Sequence, residues 1–420
     1  MRTLYEPCAC CGGYKPVAKL RASGGDFDDL IRQLADDIYK SKNDDYYSPD
    51  LVKETAGELI DAISEGYGDL SVDWDTPDHL MLEKLVENVF QFSAAKNYQQ
   101  LQDITNAMIG DDGKLREFNE FKEAVEAIGY KFNHDWLETE YNTAVGSATM
   151  AARWVEYKKE ADLFPMLRYV TVGDNRVRAE HRLLDGVVKH INDDFWKTYY
   201  PPNGFNCRCD VEQEPESDAQ ESDTPVYLPQ VPPMFKTNLA ESGLLFPKDH
   251  PYYEGVPKDV LRRAMQYLPE DYAYRTRDGY EEHAMLQHEP ETEENRTIAE
   301  ILAGSGEKDI KLLPRLHEKE PELRRKYYGE EYTENHPTKC PDSFIGGEPA
   351  EFKETNKKNM SKRILEAAGQ ADVIIVKMKE PLTDEYIGRF VKGQWGMDDR
   401  LNVKRIIIIN NDKTYKYNRP

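Results

Sequence analysis

The hydrophobic periodicity of this chain changes character once, after Leu163, and that change restricts its folds more than any other feature. From about Asp26 to Glu160 apolar residues recur at spacings of three and four, as in Asp28–Ala35 and Asp78–Val86. That period places them on one face of a helix. A third helix is expected over Thr143–Lys159, through Ala144, Met150, Ala151 and Trp154, with Gly146 inside it. After Leu163 the pattern turns strand-like, beginning with Met166–Val172. Residues 212–235 are rich in Glu, Asp, Ser and Pro and lack periodicity, which reads as a linker or extended arm. A short helix is expected over Lys258–Tyr267.

From Glu291 onward the alternation predicts a compact domain. It begins with a helix over Glu293–Ala303 and a strand over Ile310–Leu313, followed by a charged insertion at 315–338. Strands around Asp342–Ile345 and Ala350–Lys353 come next, then a helix at Ser361–Ala368 and a strand at Val373–Met378. A helix at Asp384–Val391 and a strand at Val403–Ile409 complete it.

Charge follows the same division. The 420 residues carry a formal net charge of −23, yet residues 291–420 hold 24 basic and 24 acidic side chains. All of the excess therefore lies in the first 290 residues, and two halves so different are expected to do different work. An acidic chain of this kind is not a simple DNA-coating protein. No apolar run approaches the roughly 18–20 residues of a membrane helix. The N-terminus lacks the apolar core of a signal peptide, so synthesis in the cytoplasm without Sec export is expected. Six cysteines, at 8, 10, 11, 207, 209 and 340, are too few and too clustered for a disulfide scaffold.

Two constellations carry chemistry. In the first, the turn Pro201-Pro202-Asn203-Gly204 delivers Cys207 and Cys209 two residues apart, on one side of an extended segment. With His181 they make three candidate ligands of a structural zinc, and Asp185 is a candidate fourth. The alternative is a structural knot in which these side chains only pack and hydrogen-bond. Cys8, Cys10 and Cys11 form a second thiol cluster with no fourth ligand nearby. The run Arg176…Glu180-His181…Leu184-Asp185-Gly186…Phe195-Trp196…Pro201-Pro202-Asn203-Gly204-Phe205…Cys207-Arg208-Cys209 resembles the phage Mu protein F-like family of minor head proteins, over about residues 140–212. Pro232–Phe235 and Phe246–Tyr253 resemble that family's tail. The resemblance implies a virion-head component whose partners are portal and capsid proteins, with no membrane partner.

In the second constellation, a Gly346-Gly347 hairpin is expected to bring Asp342 beside Glu351 and Lys353, which share one strand face. Two carboxylates can hold a divalent cation through oxygen, and a neighbouring lysine can stabilise charge as a phosphodiester breaks. Lys357, Lys358, Lys362 and Arg363 follow directly as candidate phosphate contacts. With the helix acid Glu294 (Glu300 competes for the role), Leu312–Pro314, Gln370-Ala371 and the late apolar strand, the pattern resembles the PD-(D/E)xK nuclease superfamily. More closely, it resembles the tRNase domains that end contact-dependent growth inhibition toxins. That resemblance implies catalytic Asp342, Glu351, Lys353 and Glu294, with Asp342 and Glu351 as metal ligands and Gln370 on the nucleic acid. It also implies a magnesium, zinc or manganese cofactor, an RNA substrate, tRNA above all, and an immunity protein as partner.

The expected fold class is multidomain. A mainly α-helical N-terminal region (1–139) leads into a small α+β Mu F-like module (140–212), then a linker and arm (213–285). An α/β domain of restriction-endonuclease-like type (286–420) follows. Two other readings stay open: a DNase, and a purely structural head protein whose last domain is degenerate.

Overall fold

The computed structural model describes residues 25–40, 46–68, 76–219, 221–222, 228–288, 292–318, 320–397, 402–411 and 413–420. Cys8, Cys10 and Cys11 lie outside them. The chain forms two compact units, Met1–Leu268 and Pro269–Pro420.

The first unit is mainly helical. Helices α1 (Gly25–Tyr39), α2 (Pro49–Tyr67), α3 (Pro77–Asn106), α4 (Phe118–Tyr130) and α5 (Leu137–Glu160) account for most of it, with a π-helical turn at Lys131–Trp136 between the last two. Helices α2 and α3 start at Pro behind a hydroxyl cap. Ser48 Oγ accepts from Leu51 N (3.4 Å) and Thr76 Oγ1 from His79 N (3.2 Å), satisfying amides that a helix start leaves open. Gly66 lets α2 approach α5 backbone to backbone, since a Cβ there would lie 2.3 Å from Val145 O. No helix among the described residues is long and apolar enough to cross a membrane.

The interior of this unit carries charge. Lys96 Nζ and Glu140 Oε2 pair at 2.5 Å, 1% and 0% exposed, and Tyr252 Oη donates to Glu140 Oε1 (3.0 Å). Tyr252 belongs to a segment sewn onto α3 by polar side chains. Asn88 Oδ1 accepts from Leu245 N and Phe246 N, Gln99 Nε2 donates to Tyr252 O and Glu254 O, and Phe246 stacks on Phe92 at 3.8 Å.

A three-stranded antiparallel sheet follows α5. Its strands are β1 (Met166–Val170), β2 (Val188–His190) and β3 (Asp210–Glu214), in the order β2-β1-β3. Short helices α6 (Ala179–Arg182) and α7 (Phe195–Tyr199) lie in its connections; α8 (Leu239–Ser242) and α9 (Lys258–Ala264) come later. The part of the expected arm from Leu228 to Leu268 belongs to this unit, with Phe235 and Phe246 buried in it.

The second unit is built on an eight-stranded mixed sheet. Helix α10 (Glu270–Ala273) precedes β4 (Tyr274–Arg277) and β5 (Tyr280–His283), then come α11 (Thr292–Gly304) and β6 (Ile310–Leu312). Helices α12 (Pro321–Tyr328) and α13 (Glu330–Asn335) lead to β7 (Ser343–Ile345) and β8 (Glu348–Thr355). The rest is α14 (Met360–Ala368), β9 (Val373–Met378), α15 (Asp384–Trp395), β10 (Arg405–Asn410) and β11 (Lys413–Asn418). The sheet order is β11-β10-β9-β8-β7-β6-β5-β4. Strands β8, β9 and β10 are parallel, and β6, β7 and β8 antiparallel. The hairpin β4–β5, placed in the arm by the sequence, is thus part of this sheet, and β11 is a further edge strand.

Alternation along the strands sorts two cores. Ala350, Phe352, Val373, Ile375, Ile407 and Ile409 pack with Ile298, Ala299 and Leu302 of α11. Ile374, Val376, Ile406 and Ile408 pack with α14 and α15 on the other face. Glu351 and Lys353 pair with Ile374 and Val376, so they stand on the α14 face.

Candidate functional site

The hairpin β7–β8 turns at Gly346 and Gly347, both at positive φ (61° and 79°), the backbone that a two-residue hairpin turn requires. Its register, Ser343↔Ala350, sets Asp342 against Glu351. Asp342 Oδ2 accepts from Phe352 N (2.8 Å), which fixes the carboxylate at the strand entrance. Lys353 Nζ bonds Glu351 Oε2 and lies 3.9 Å from Asp342 Oδ2. Arg315 Nη2 approaches Asp342 Oδ1 at 3.7 Å. Glu351 is 2% exposed. Burial, then the neighbouring Asp342 charge, push its pKa up from 4.5 to about 7 against the pull of Lys353. Two carboxylates forced together in a poorly solvated site fit a hard divalent cation, which would relieve both the burial and the repulsion.

The surroundings come from the insertion and from α14. Arg324, 1% exposed, donates to the carbonyls of Leu316, His336 and Lys339 and contacts Cys340 Sγ at 3.3 Å. It folds residues 315–338 into a knot that ends directly before Asp342. Tyr332 of α13 donates to Gln370 O (2.9 Å) at the end of α14, and the charges of Glu351 and Asp342 help raise its phenol pKa after burial. On α14, Glu366 pairs with Arg363 (2.8 Å) and Lys362 (3.8 Å) and also feels the charge of Lys353. Through Glu366, Lys362 and Arg363 are linked to the Lys353 side of the cluster. Lys357 lies over the ring of Tyr386 (4.1 Å), and Lys358 is exposed.

Glu294 and Glu300 behave differently. Both are exposed on α11, the helix that covers the opposite, Phe352-bearing face, and Arg296 of the same helix is tied to buried Glu282 (2.7 Å). Neither acid is brought into contact with Asp342, Glu351 or Lys353.

In the first unit the other cluster assembles. His181 Nδ1 lies 3.3 Å from Cys209 Sγ and 3.7 Å from Cys207 Sγ, and the three ligand atoms fall within 4.8 Å of one another. Asn203 orders the turn between α7 and Cys207, accepting from Tyr169 Oη (3.0 Å) and donating to Thr198 O (3.2 Å). Arg178 donates to Phe205 O (2.6 Å), and Arg208 clamps Asp174 with two bonds of 2.9 Å. A hydrogen bond from Cys209, with His181 beside it, pulls the Cys207 thiol well below its ordinary range and pushes Cys209 up. Asp185 does not join the cluster: its Oδ1 accepts from Thr171 N (2.7 Å) and Thr171 Oγ1 (2.8 Å).

Sequence reasoning missed Tyr332, Arg324 and Glu366. Tyr332 and Arg324 are buried within a charged stretch that leaves no periodic signal, and Glu366 is an exposed acid among the basic residues of α14.

Residues 97–212 match the family model described as Phage Mu protein F like protein, so this part of the chain is a Phage Mu F-like domain. The match starts upstream of residue 140 and takes in the last third of α3, together with α4 and α5. Among curated relatives, the F protein of Escherichia phage Mu, provisionally named a capsid assembly protein, is 47% identical over 75 residues, 18% of this chain and 17% of that protein. The Mu-like prophage FluMu F protein of Haemophilus influenzae is 42% identical over 76 residues, 18% of each chain. The chain thus spans under a fifth of the length of these relatives. No solved structure matches it.

Proposed function

We propose that this chain is a phage or prophage head-assembly component carrying a metal-dependent endonuclease in its second unit, with RNA, and tRNA in particular, as substrate. The head role rests on the Mu F-like domain and on the relatives' names. On this reading the protein works in the virion head, with portal and capsid proteins as partners. The nuclease role rests on one observation: Asp342, Glu351 and Lys353 converge on one face of a hairpin. The restriction-endonuclease-like reading of the second unit rests on that same placement.

Asp342 and Glu351 are the residues that would hold the divalent ion, with magnesium the first choice and manganese or zinc as alternatives. Bound there, the ion supplies Lewis acidity toward a phosphoryl oxygen and acidifies a coordinated water. Lys353 moves from the carboxylates to the charge that builds on the phosphate. Lys357, Lys358, Lys362, Arg363 and Gln370 steer and seat the polyanion. A cell carrying such an enzyme needs an inhibitor, hence an immunity protein as partner.

A second reading has its own support. Lys353 lies on both carboxylates, as in a closed ion pair of a docking domain. RNA cleavage by the full chain with magnesium, abolished by Glu351→Gln and Lys353→Ala, separates the two. Intact RNA and DNA with magnesium, manganese and zinc would sink the enzyme, and cleavage limited to DNA would make it a DNase.

A further inference from the structure

We propose that His181, Cys207 and Cys209 hold one zinc ion, with solvent in an adjoining small cavity as the fourth ligand. Tetrahedral zinc with Zn–S of about 2.3 Å and Zn–N of about 2.0–2.1 Å sets sulfur and nitrogen ligands about 3.6 Å apart. The two Nδ1–Sγ separations, 3.3 and 3.7 Å, bracket that value. Both cysteines are free thiols, and two soft sulfurs with an imidazole select zinc over magnesium or calcium.

The fourth position has a place to go. His181 and Cys209 line a cavity of about 30 Å³ together with Val172, Val177, Arg178 and Asn206. A water needs only about 10–15 Å³ of such volume, plus polar partners. Asn206 Oδ1 is one: it is buried in this lining without a hydrogen-bond partner, on a residue held at φ 54°. Asp185, the fourth ligand suggested by the sequence, is engaged by Thr171 instead.

The ion would tie α6 to the segment that enters β3, two parts of the Mu F-like domain far apart in sequence. That makes it a staple of the fold, with one exchangeable position facing the cavity.

The test uses the full chain with Cys8, Cys10 and Cys11 changed to Ser, so that the N-terminal thiols are silent. Metal analysis after purification should find about one zinc per chain, and cobalt replacement should give the absorption of a tetrahedral site with two thiolates. Cys207→Ser and His181→Ala should each lower the metal to under about a tenth per chain. Folding of these variants need not be assumed. In the unsubstituted pair, zinc should protect both thiols from alkylation and a chelator should expose them. A metal-free protein with no cobalt spectrum, or a spectrum that survives Cys207→Ser, overturns the proposal.

Discussion

The two clusters are built by the same device and end with opposite chemistry. In each, two residues spaced i, i+2 share one side of an extended segment, and a third reaches them from an earlier element: Cys207 and Cys209 with His181 of α6, Glu351 and Lys353 with Asp342 across the β7–β8 turn. The first offers nitrogen and sulfur and sits inside a knot where Asn203, Arg178 and Arg208 are all committed to neighbours. The second offers carboxylate oxygen, one buried acid held near neutrality, and a border of exposed cations. The difference teaches what each can do. A soft, enclosed site holds a fold together, whereas a hard site beside a basic helix can meet a polyanion.

The largest expected effect breaks that comparison in one direction. Glu351→Gln or Lys353→Ala should lower RNA cleavage by about 10²–10⁴-fold and leave the zinc content of the chain intact. Cys207→Ser should do the reverse. Loss of both properties from either variant would mean that the two sites are not independent.

A second prediction separates the units by stability. Lys96→Met strands Glu140 in the interior of the first unit, where Lys96 and Tyr252 are its partners. Leaving one charge of a buried pair costs about 3–5 kcal/mol. Two-probe urea unfolding should show the first unit's transition moved and the second unit's unchanged. An unshifted first transition would show that the pair is not buried in solution.

The smallest effect concerns proton linkage in the second unit. Glu351 keeps its proton up to about pH 7 when folded, against an ordinary value of 4.5. Between those values the folded state holds more protons than the unfolded one, so stability falls as pH rises. For metal-free protein the loss is on the order of 3 kcal/mol at most. Glu351→Gln should flatten the slope, and magnesium should offset it in the wild type. Equal urea midpoints at about pH 5 and pH 8 with chelator would contradict the shift.

Much of the second unit was legible in the sequence because its signals are local. The Gly346-Gly347 turn, the alternation in Val373–Met378 and the Asp342, Glu351 and Lys353 spacing each need only a few residues to read. The same holds for Cys207, Cys209 and the turn before them. What escaped depends on partners far along the chain. Asn88, Gln99 and Lys96 make α3 look polar, yet they are buried because a segment more than a hundred residues later, or α5, supplies their partners. Arg324 reads as one more charge in an insertion, and its burial follows from carbonyls that only the folded loop presents. Strand β11 (Lys413–Asn418) is a polar edge, where one face meets water and hydrophobic alternation is weak. The position of Glu294, exposed on the helix over the opposite face, was not legible because helix register in sequence does not reveal which face of the sheet the helix will cover.

RNA cleavage by the second unit through the Asp342, Glu351 and Lys353 cluster is open to direct test. The measurement that meets it most directly is a cleavage assay of the full chain on purified tRNA, with and without magnesium, beside Glu351→Gln. Cut RNA is expected for the wild type with metal alone, and intact RNA after chelation or for the variant. Intact RNA in every lane, or cleavage that Glu351→Gln leaves unchanged, would contradict it.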